Sequence, residues 1–411
     1  MADCCSTPGL LPFEDALNNM LEVINPIVDV EDVALSDSLG RIIAQDLKSP
    51  VNVPPNDNSA MDGYAFAHKS LALNNELVLV GRSMAGSPYL GECHNGECVR
   101  IMTGAKIPDD CDTVEMQENC IVENEKIHFS FKRVFGDNVR GQGEDIAINQ
   151  NVFSTGRELT SVDIGVLASL GIQNVTVYRK IKVALIATGD ELKKPHEQLN
   201  NGDIYESNSQ FLTAILAKLG AEIINLGIIE DDEAKIKVAF EQADELADVV
   251  ISSGGVSVGE ADYTKTVLEQ LGHISFWKIA MKPGKPFAFG SLPNSYFFGL
   301  PGNPVSALVT AHQLALPALL KLQNSRAKKP LMIKARTMTS LKKSPGRMDF
   351  QRGVIANDLN GELVVTTTGS QGSGILTSMA AANCYIVLPL EQGKVAEKEW
   401  VNVQMFDKYL L

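Results

Sequence analysis

Positive charge is scarce in this chain of 411 residues: 36 Lys and Arg face 50 Asp and Glu, a formal net charge of −14. A field of that sign opposes nucleic acid and anionic membrane surfaces, so an anionic ligand must be held by locally placed cations and backbone amides. Histidine is scarce too, six in all, and none adjoins a candidate Ser or Cys in any motif, which leaves a nucleophilic triad without support. The absence of GxxxxGK[ST] excludes a P-loop. No run approaches the roughly 18 apolar residues of a membrane span, and Met1–Leu11 lacks a basic segment followed by an apolar one, so a soluble cytoplasmic protein is expected. The seven cysteines are odd in number and scattered, which argues for reduced thiols. Cys93-His94 and Cys98 match no common zinc spacing and lack an evident fourth ligand. Internal repeats and low-complexity segments are absent as well.

What is present reads as a multidomain α/β chain, since roughly 100–200 residues per domain implies two to four domains. Phe13, Ala16, Leu17, Met20, Leu21 and Ile24 form one stripe of an amphipathic helix, stopped by Pro26. Three prolines in Ser49–Pro55 mark a boundary. From there to about Ile146, short alternating runs (Leu77–Val80, Cys98–Met102, Thr113–Met116, Ile127–Phe131) predict a β-rich inserted domain. Helical spacing returns at Leu159–Ser169, a segment expected to pack back on the opening helix. From Ile181, strands at Lys182–Ala187, Glu222–Leu226 and Asp248–Ile251 alternate with helices at Asn208–Leu219 and Glu233–Leu246. That alternation predicts a parallel sheet covered on both faces. Further strands are expected at Trp277–Met281, Phe287–Phe289 and Phe297–Leu300, then a helix over Val305–Leu320. After the linker Ser325–Pro330 the pattern turns to a small all-β C-terminal domain. The expected division is thus 1–48 with 147–180 as a helical N-terminal and linking part, 49–146 inserted, 181–328 as the central parallel-sheet α/β domain, and 329–411.

The stretch Ala247–Asp262 carries the sharpest chemical signal. A β-branched run ends in Ser252–Gly259, whose three glycines and three serines let the backbone approach a ligand and aim amides at it. Strand, glycine loop and helix start together suit phosphate. Glu260 and Asp262 close the loop, and carboxylates beside an anion repel it unless a cation such as Mg²⁺ lies between. Loops at three other strand ends are similar: Thr188-Gly189-Asp190-Glu191, Gly227–Glu233 with Asp231-Asp232, and Pro301–Ser306. Taken singly, Asp231, Asp232 and Asp262 suit helix capping, Glu191 a surface turn, and Pro301 and Pro304 loop stiffening. Convergence at four strand ends favours a phosphorylated ligand with a hard cation. Cations lie in Lys278, Lys282, Lys285, Arg347 and Arg352, and Gly369–Gly374 is a second loop suited to an oxyanion or to a flexible hairpin.

The motifs DNSAMDGYA (Asp57–Ala65), RIMTGA (Arg100–Ala105), RGQGED (Arg140–Asp145), TGDEL (Thr188–Leu192), SSGGVSVGEADY (Ser252–Tyr263), KPGKP (Lys282–Pro286) and GLPGNPVSA (Gly299–Ala307) resemble, in order, those of the molybdopterin molybdenumtransferase family. That family is called MoeA in bacteria and the gephyrin E domain in animals. The resemblance implies a homodimer whose cleft is shared between subunits. It implies insertion of molybdenum from molybdate into adenylylated molybdopterin, with release of AMP, Mg²⁺ as cofactor, and transient contact with the preceding adenylyltransferase. By the same resemblance Asp231 and Asp262 would hold Mg²⁺, with Glu191 as the neighbouring essential carboxylate. Asp62, Thr103 and Asp145 would face the cleft from the partner. Ser252, Ser253, Gly254 and Gly255 would carry the pyrophosphate, Pro301 and Pro304 would shape the cleft, and Lys278, Lys282, Arg352 and Ser373 would hold molybdate. Glu230, beside Asp231, departs from a position where basic residues can occur. Two rivals stay open, a receptor-anchoring scaffold of the gephyrin E type and a molybdopterin adenylyltransferase.

Overall fold

The computed structural model describes residues 9–72, 75–130, 134–255, 263–326 and 330–411. The chain forms two compact units, one of residues 1–31, 40–42 and 177–411, the other of 32–39 and 43–176. Helix α1 (Phe13–Val23) belongs to the first unit, with Glu14 and Asp15 in its first turn, where the helix dipole favours acids. Its stripe, Ala16 and Met20 continued by Ile24 and Ile27, is buried in the core of the α/β sheet, and Ile27 N donates to Leu322 O at 2.8 Å. Helix α2 (Ser161–Ser169), started by a Thr160–Asp163 capping box, lies in the second unit.

The second unit, which spans more than the expected 49–146, carries a β-rich part. Its strands β1 (Gly63–Phe66), β2 (Glu76–Ser83), β3 (Glu97–Ile101), β4 (Thr113–Met116), β5 (Cys120–Glu123) and β6 (Lys126–Phe129) form one mixed sheet in the order β4-β1-β3-β2-β6-β5. Strand β1 was not expected, because its lead-in Asp57–Asp62 reads as turn. All four of its residues are nonetheless buried, and Gly63 lies so close to β4 that a Cβ there would sit 1.7 Å from Glu115 O.

In the first unit, β7 (Lys182–Thr188), α3 (Asn208–Leu219), β8 (Glu222–Ile229), α4 (Glu233–Leu246), β9 (Val249–Ser253) and α5 (Tyr263–Leu271) alternate as expected. Strands β10 (His273–Lys278), β11 (Pro286–Ser291) and β12 (Tyr296–Leu300) complete a six-stranded sheet in the order β8-β7-β9-β12-β11-β10. Strand β7 shows why these runs are uninterruptedly apolar. Val183 and Leu185 enter the core on the α3 side, and Ala184 and Ile186 enter the core beneath α4 and α5. The sheet is not wholly parallel: β11 runs antiparallel to both neighbours. The short link from Ser291 to Tyr296 can close a hairpin but cannot make a crossover.

Helix α6 (Pro304–Thr310) continues through a π-helical turn, Ala311–Ala315, into α7 (Leu316–Leu322). This stretch is long and apolar enough to cross a membrane, contrary to the reading of the sequence, but 83% of it is buried inside the protein. Strands β13 (Met332–Thr337), β14 (Met348–Asn357), β15 (Leu363–Thr367), β16 (Cys384–Leu388) and β17 (Trp400–Met405) form the C-terminal all-β part, with a short helix at Thr377–Ala380. Pairing of β14 with β16 closes the order β14-β15-β13-β17-β16 into a barrel around Ile355, Val365, Ile386 and Val403. The opposite face of β14 and β16, with Phe350, Tyr385 and Val387, joins the core of the α/β sheet.

One ion pair pins the register of β7 and β9. Arg179 donates twice to the carboxylate of Asp248, at 2.8 Å each, and Lys182 N donates to the same group at 2.7 Å. Desolvation would raise the Asp248 pKa, but the Arg179 guanidinium and the Lys182 amide outweigh it and hold the group below its ordinary value. Its stabilisation is therefore present above the ordinary carboxylate range and is lost on acidification. Asp248→Ala should cost about 2 kcal/mol at neutral pH. In denaturant titrations that gap should close as the pH falls below about 4.

Candidate active site

Four strands end on one line. Thr188 pairs with Ile229, Ala187 with Ser253, and Ser253 with Leu300, so the turns after β7, β8, β9 and β12 leave the sheet side by side. The chain runs from β7 outward to β8, then crosses back to β9 on the other side of β7, and the loops part where the strand order reverses. A cavity of about 910 Å³ opens there.

Its floor requires glycine. Gly254 and Gly255 have φ of +95° and +65°, a region L-residues avoid. A Cβ on Gly254 would stand 2.8 Å from Thr188 O, and one on Gly255 would stand 2.3 Å from Thr264 Oγ1. Gly254 N donates to Leu300 O (3.1 Å), which ties this turn to the end of β12. Ser253 lines the cavity, while Ser252 is fully buried beneath it, its hydroxyl unpaired among the described residues. Successive strand residues face opposite ways, and β9 runs two residues beyond Ile251, so only one of the two serines reaches the ligand side.

Glu191 and Asp231 line the same cavity. Asp190 stands behind them, its Oδ1 accepting from Asp231 N at 3.0 Å. The Asp231 carboxyl is held above its ordinary value, first by desolvation and then by the charges of Asp190 and Glu191. Asp232 is the helix cap, accepting from Lys235 N at 2.9 Å, and Glu230 pairs with Lys235. Of three consecutive acids, then, only Asp231 is left for the cavity. Glu260 and Asp262 lie outside the described residues. Pro301 and Pro304 form the opposite wall with Gly302 and Asn303.

The cations expected around the ligand are not in this wall. Lys278 is exposed, and Lys282 reaches toward Asp349 (3.7 Å), whose carboxyl burial holds above its ordinary value. Arg352 is 1% exposed, and burial lowers its pKa. It donates from Nε to Ser378 Oγ (3.0 Å) and from Nη2 to Gly372 O (2.9 Å), bracing the Gly369–Gly374 loop. That loop does reach the cavity, since Ser373 O accepts from Val305 N at 3.0 Å and Gly374 lines the wall. In the other unit, Asp62 Oδ1 accepts from both Thr103 N (2.7 Å) and Thr103 Oγ1 (2.8 Å), bonds that hold its pKa down. Asp145 N donates to Val53 O at 3.0 Å, folding RGQGED back onto the proline-rich segment.

Sequence reading missed the segment Ile204–Asn208, which with Leu192 forms the remaining rim. Leu192–Lys193 pairs with Ile204–Tyr205 as a small parallel ribbon. Asn208, only 7% exposed, was passed over because Glu206-Ser207-Asn208-Ser209 reads simply as a helix start.

Fold and crevice define an α/β protein with a cavity at the strand ends, where carboxylates stand beside a glycine turn. Residues 11–171 match the MoeA N-terminal region (domain I and II), 184–321 a probable molybdopterin binding domain, and 334–406 the MoeA C-terminal region (domain IV). The chain is 45% identical over 403 residues to the molybdopterin molybdenumtransferase of Haemophilus influenzae, covering 98% of this chain and 100% of that one. It is 31% identical to gephyrin of Dictyostelium discoideum, over 97% of this chain and 62% of that one. A crystal structure of the molybdopterin biosynthesis MoeA protein of Pyrococcus horikoshii aligns with a TM-score of 0.85 at 30% identity, covering 97% and 100% of the two chains. The chain belongs to the MoeA family.

Two outcomes follow from the site's geometry. Gly255→Ala forces a Cβ into buried Thr264 at positive φ and should cost about 1–3 kcal/mol in chemical denaturation, with at least a tenfold loss in kcat/KM. Asp231 binds its proton more tightly folded than unfolded, so its ionisation costs stability at neutral pH and the cost disappears on acidification. Ligand-free Asp231→Asn should therefore melt at or above the wild-type temperature at pH 7, with the two converging as the pH falls.

Proposed function

We propose that this protein inserts molybdenum into adenylylated molybdopterin, taking the metal from molybdate and releasing AMP, in the last step of molybdenum cofactor synthesis. One observation carries the reading: a glycine turn suited to anions and the carboxylates Glu191 and Asp231 share one cavity. Without a cation the carboxylates would repel an anion on the turn, and Asp231 is already held above its ordinary value by desolvation and by its neighbours Asp190 and Glu191. Among the described residues no three acidic, His or Cys side chains converge as a closed metal cage. Mg²⁺ is commonly held by one or two carboxylates together with substrate phosphates and water, and Glu191 and Asp231 supply two carboxylates to the cavity.

Glu191 and Asp231, with Asp262 beyond the described residues, are the groups that would hold Mg²⁺. Bound there, the ion would neutralise pyrophosphate charge and so ease departure of AMP. The chain's own contribution is positioning. Ser253 and the Gly254–Gly255 turn hold the pyrophosphate, Pro301 and Pro304 fix the opposite wall, and buried Arg352 sets the Gly369–Gly374 loop, where Ser373 with Lys278 and Lys282 would receive molybdate. A desolvated guanidinium with no carboxylate partner among the described residues supports an anion near that loop. Asp62, Thr103 and Asp145 would complete the cleft of a homodimer, and the enzyme would act in the cytoplasm.

The test is a single turnover with adenylylated molybdopterin, with and without molybdate, reading AMP. Release should depend on both molybdate and Mg²⁺, and Asp231→Asn should slow it at least a hundredfold. Undiminished release by that variant would refute the role of the acidic pair. Formation of adenylylated pterin from ATP and molybdopterin would instead make the protein an adenylyltransferase.

A further inference from the structure

Asn208 opens α3, yet its side chain does nothing for that helix. The first turn is served by Glu206, whose Oε1 accepts from Ser209 N at 2.8 Å. The Asn208 carboxamide crosses the crevice floor, and its Nδ2 donates to Ser253 Oγ at 2.7 Å and to Gly302 O at 2.9 Å. An amide NH₂ has two hydrogens, so these bonds exhaust it. Its orientation is fixed by chemistry, because a backbone carbonyl only accepts and the atom facing Gly302 O must be nitrogen. Ser253 Oγ is therefore an acceptor toward Asn208, and its own hydrogen is not spent there. Among the described residues no protein group takes that hydrogen, and Ser253 lines the cavity. Asn208 and Ser253 are 7% and 4% exposed, so water competes little for either bond.

We propose that Asn208 is a positioning residue that sets the polarity of the Ser253 hydroxyl, turning its hydrogen toward a phosphoryl oxygen held at the Gly254–Gly255 turn. The same amide keys the Pro301–Pro304 loop to the end of β9, so ligand anchor and facing wall are registered by one side chain. The ligand's identity rests on the functional reading above; the direction of the hydroxyl does not. Asn208→Asp keeps the shape but, ionised, offers only acceptors. The Ser253 hydrogen is then drawn to the carboxylate and away from the ligand, and Gly302 O faces an anion.

The experiment is a double-mutant cycle on full-length protein, titrating AMP in the presence of Mg²⁺ by calorimetry. In the wild-type background Ser253→Ala should weaken AMP about tenfold, the worth of a hydrogen bond to a charged group. In the Asn208→Asp background it should cost less than twofold. If Asn208→Asp does not fold by circular dichroism, Asn208→Ala replaces it, and the Ser253→Ala cost should again be smaller than in wild type. A merely structural role for Asn208 would lower the melting temperature while leaving the Ser253→Ala cost unchanged, and that result overturns the proposal alone. Wild-type protein that binds neither AMP nor inorganic pyrophosphate would overturn the functional reading and this proposal with it.

Discussion

The parallel pairing of β7 with β8 on one side and β9 on the other is the constraint from which the crevice follows. Hydrogen bonding fixes strand ends to within a residue, and Thr188, Ile229, Ser253 and Leu300 all come to one edge. Chains leaving that edge must turn within a few ångströms of each other. The turns can coexist only if some carry no side chain, which is what Gly254 and Gly255 supply. Packing on both faces leaves the sheet no freedom to relieve the crowding, because Val183 and Leu185 are locked into one core and Ala184 and Ile186 into the other.

Much of this was legible because the relevant signals are local. Apolar runs, helix stripes and glycine turns lie within a dozen residues of one another, and the strand at Val249–Ser253 and the helix from Tyr263 needed nothing further. What could not be read was decided by contacts between distant residues. Ser252 and Ser253 are equivalent as letters, and only the extra length of β9 tells which side each takes. Asp231 and Asp232 suit a helix cap equally well until the geometry gives the cap to Asp232. Strand β1 hides behind a polar turn, and its burial comes from β3 and β4, well downstream. Asn208 looked like punctuation because its partners are 45 and 94 positions away.

Net charge is a poor guide to the site for the same reason. The chain carries −14 overall, yet the candidate anion site is marked by backbone amides, a serine and a buried arginine rather than by a basic surface. Short-range dipoles and a desolvated guanidinium act where water is excluded, and the surface field is screened beyond about 10 Å. Acids gathered at such a place cost the fold energy, as the raised Asp231 carboxyl shows.

The two-residue strand Met281–Lys282 pairs with Met348–Asp349 of the barrel, and only four residues later the chain enters the α/β sheet as β11. One stretch of backbone is thus shared between two folds. The outer face of the barrel also completes the neighbouring core through Phe350 and Tyr385. The barrel is consequently a poor module: cut at the 325–330 linker, it would lose a bordering strand and bare an aromatic face. A fragment meant to fold as the barrel alone would have to keep the Met281–Lys282 strand, so the unit of folding does not end at the linker.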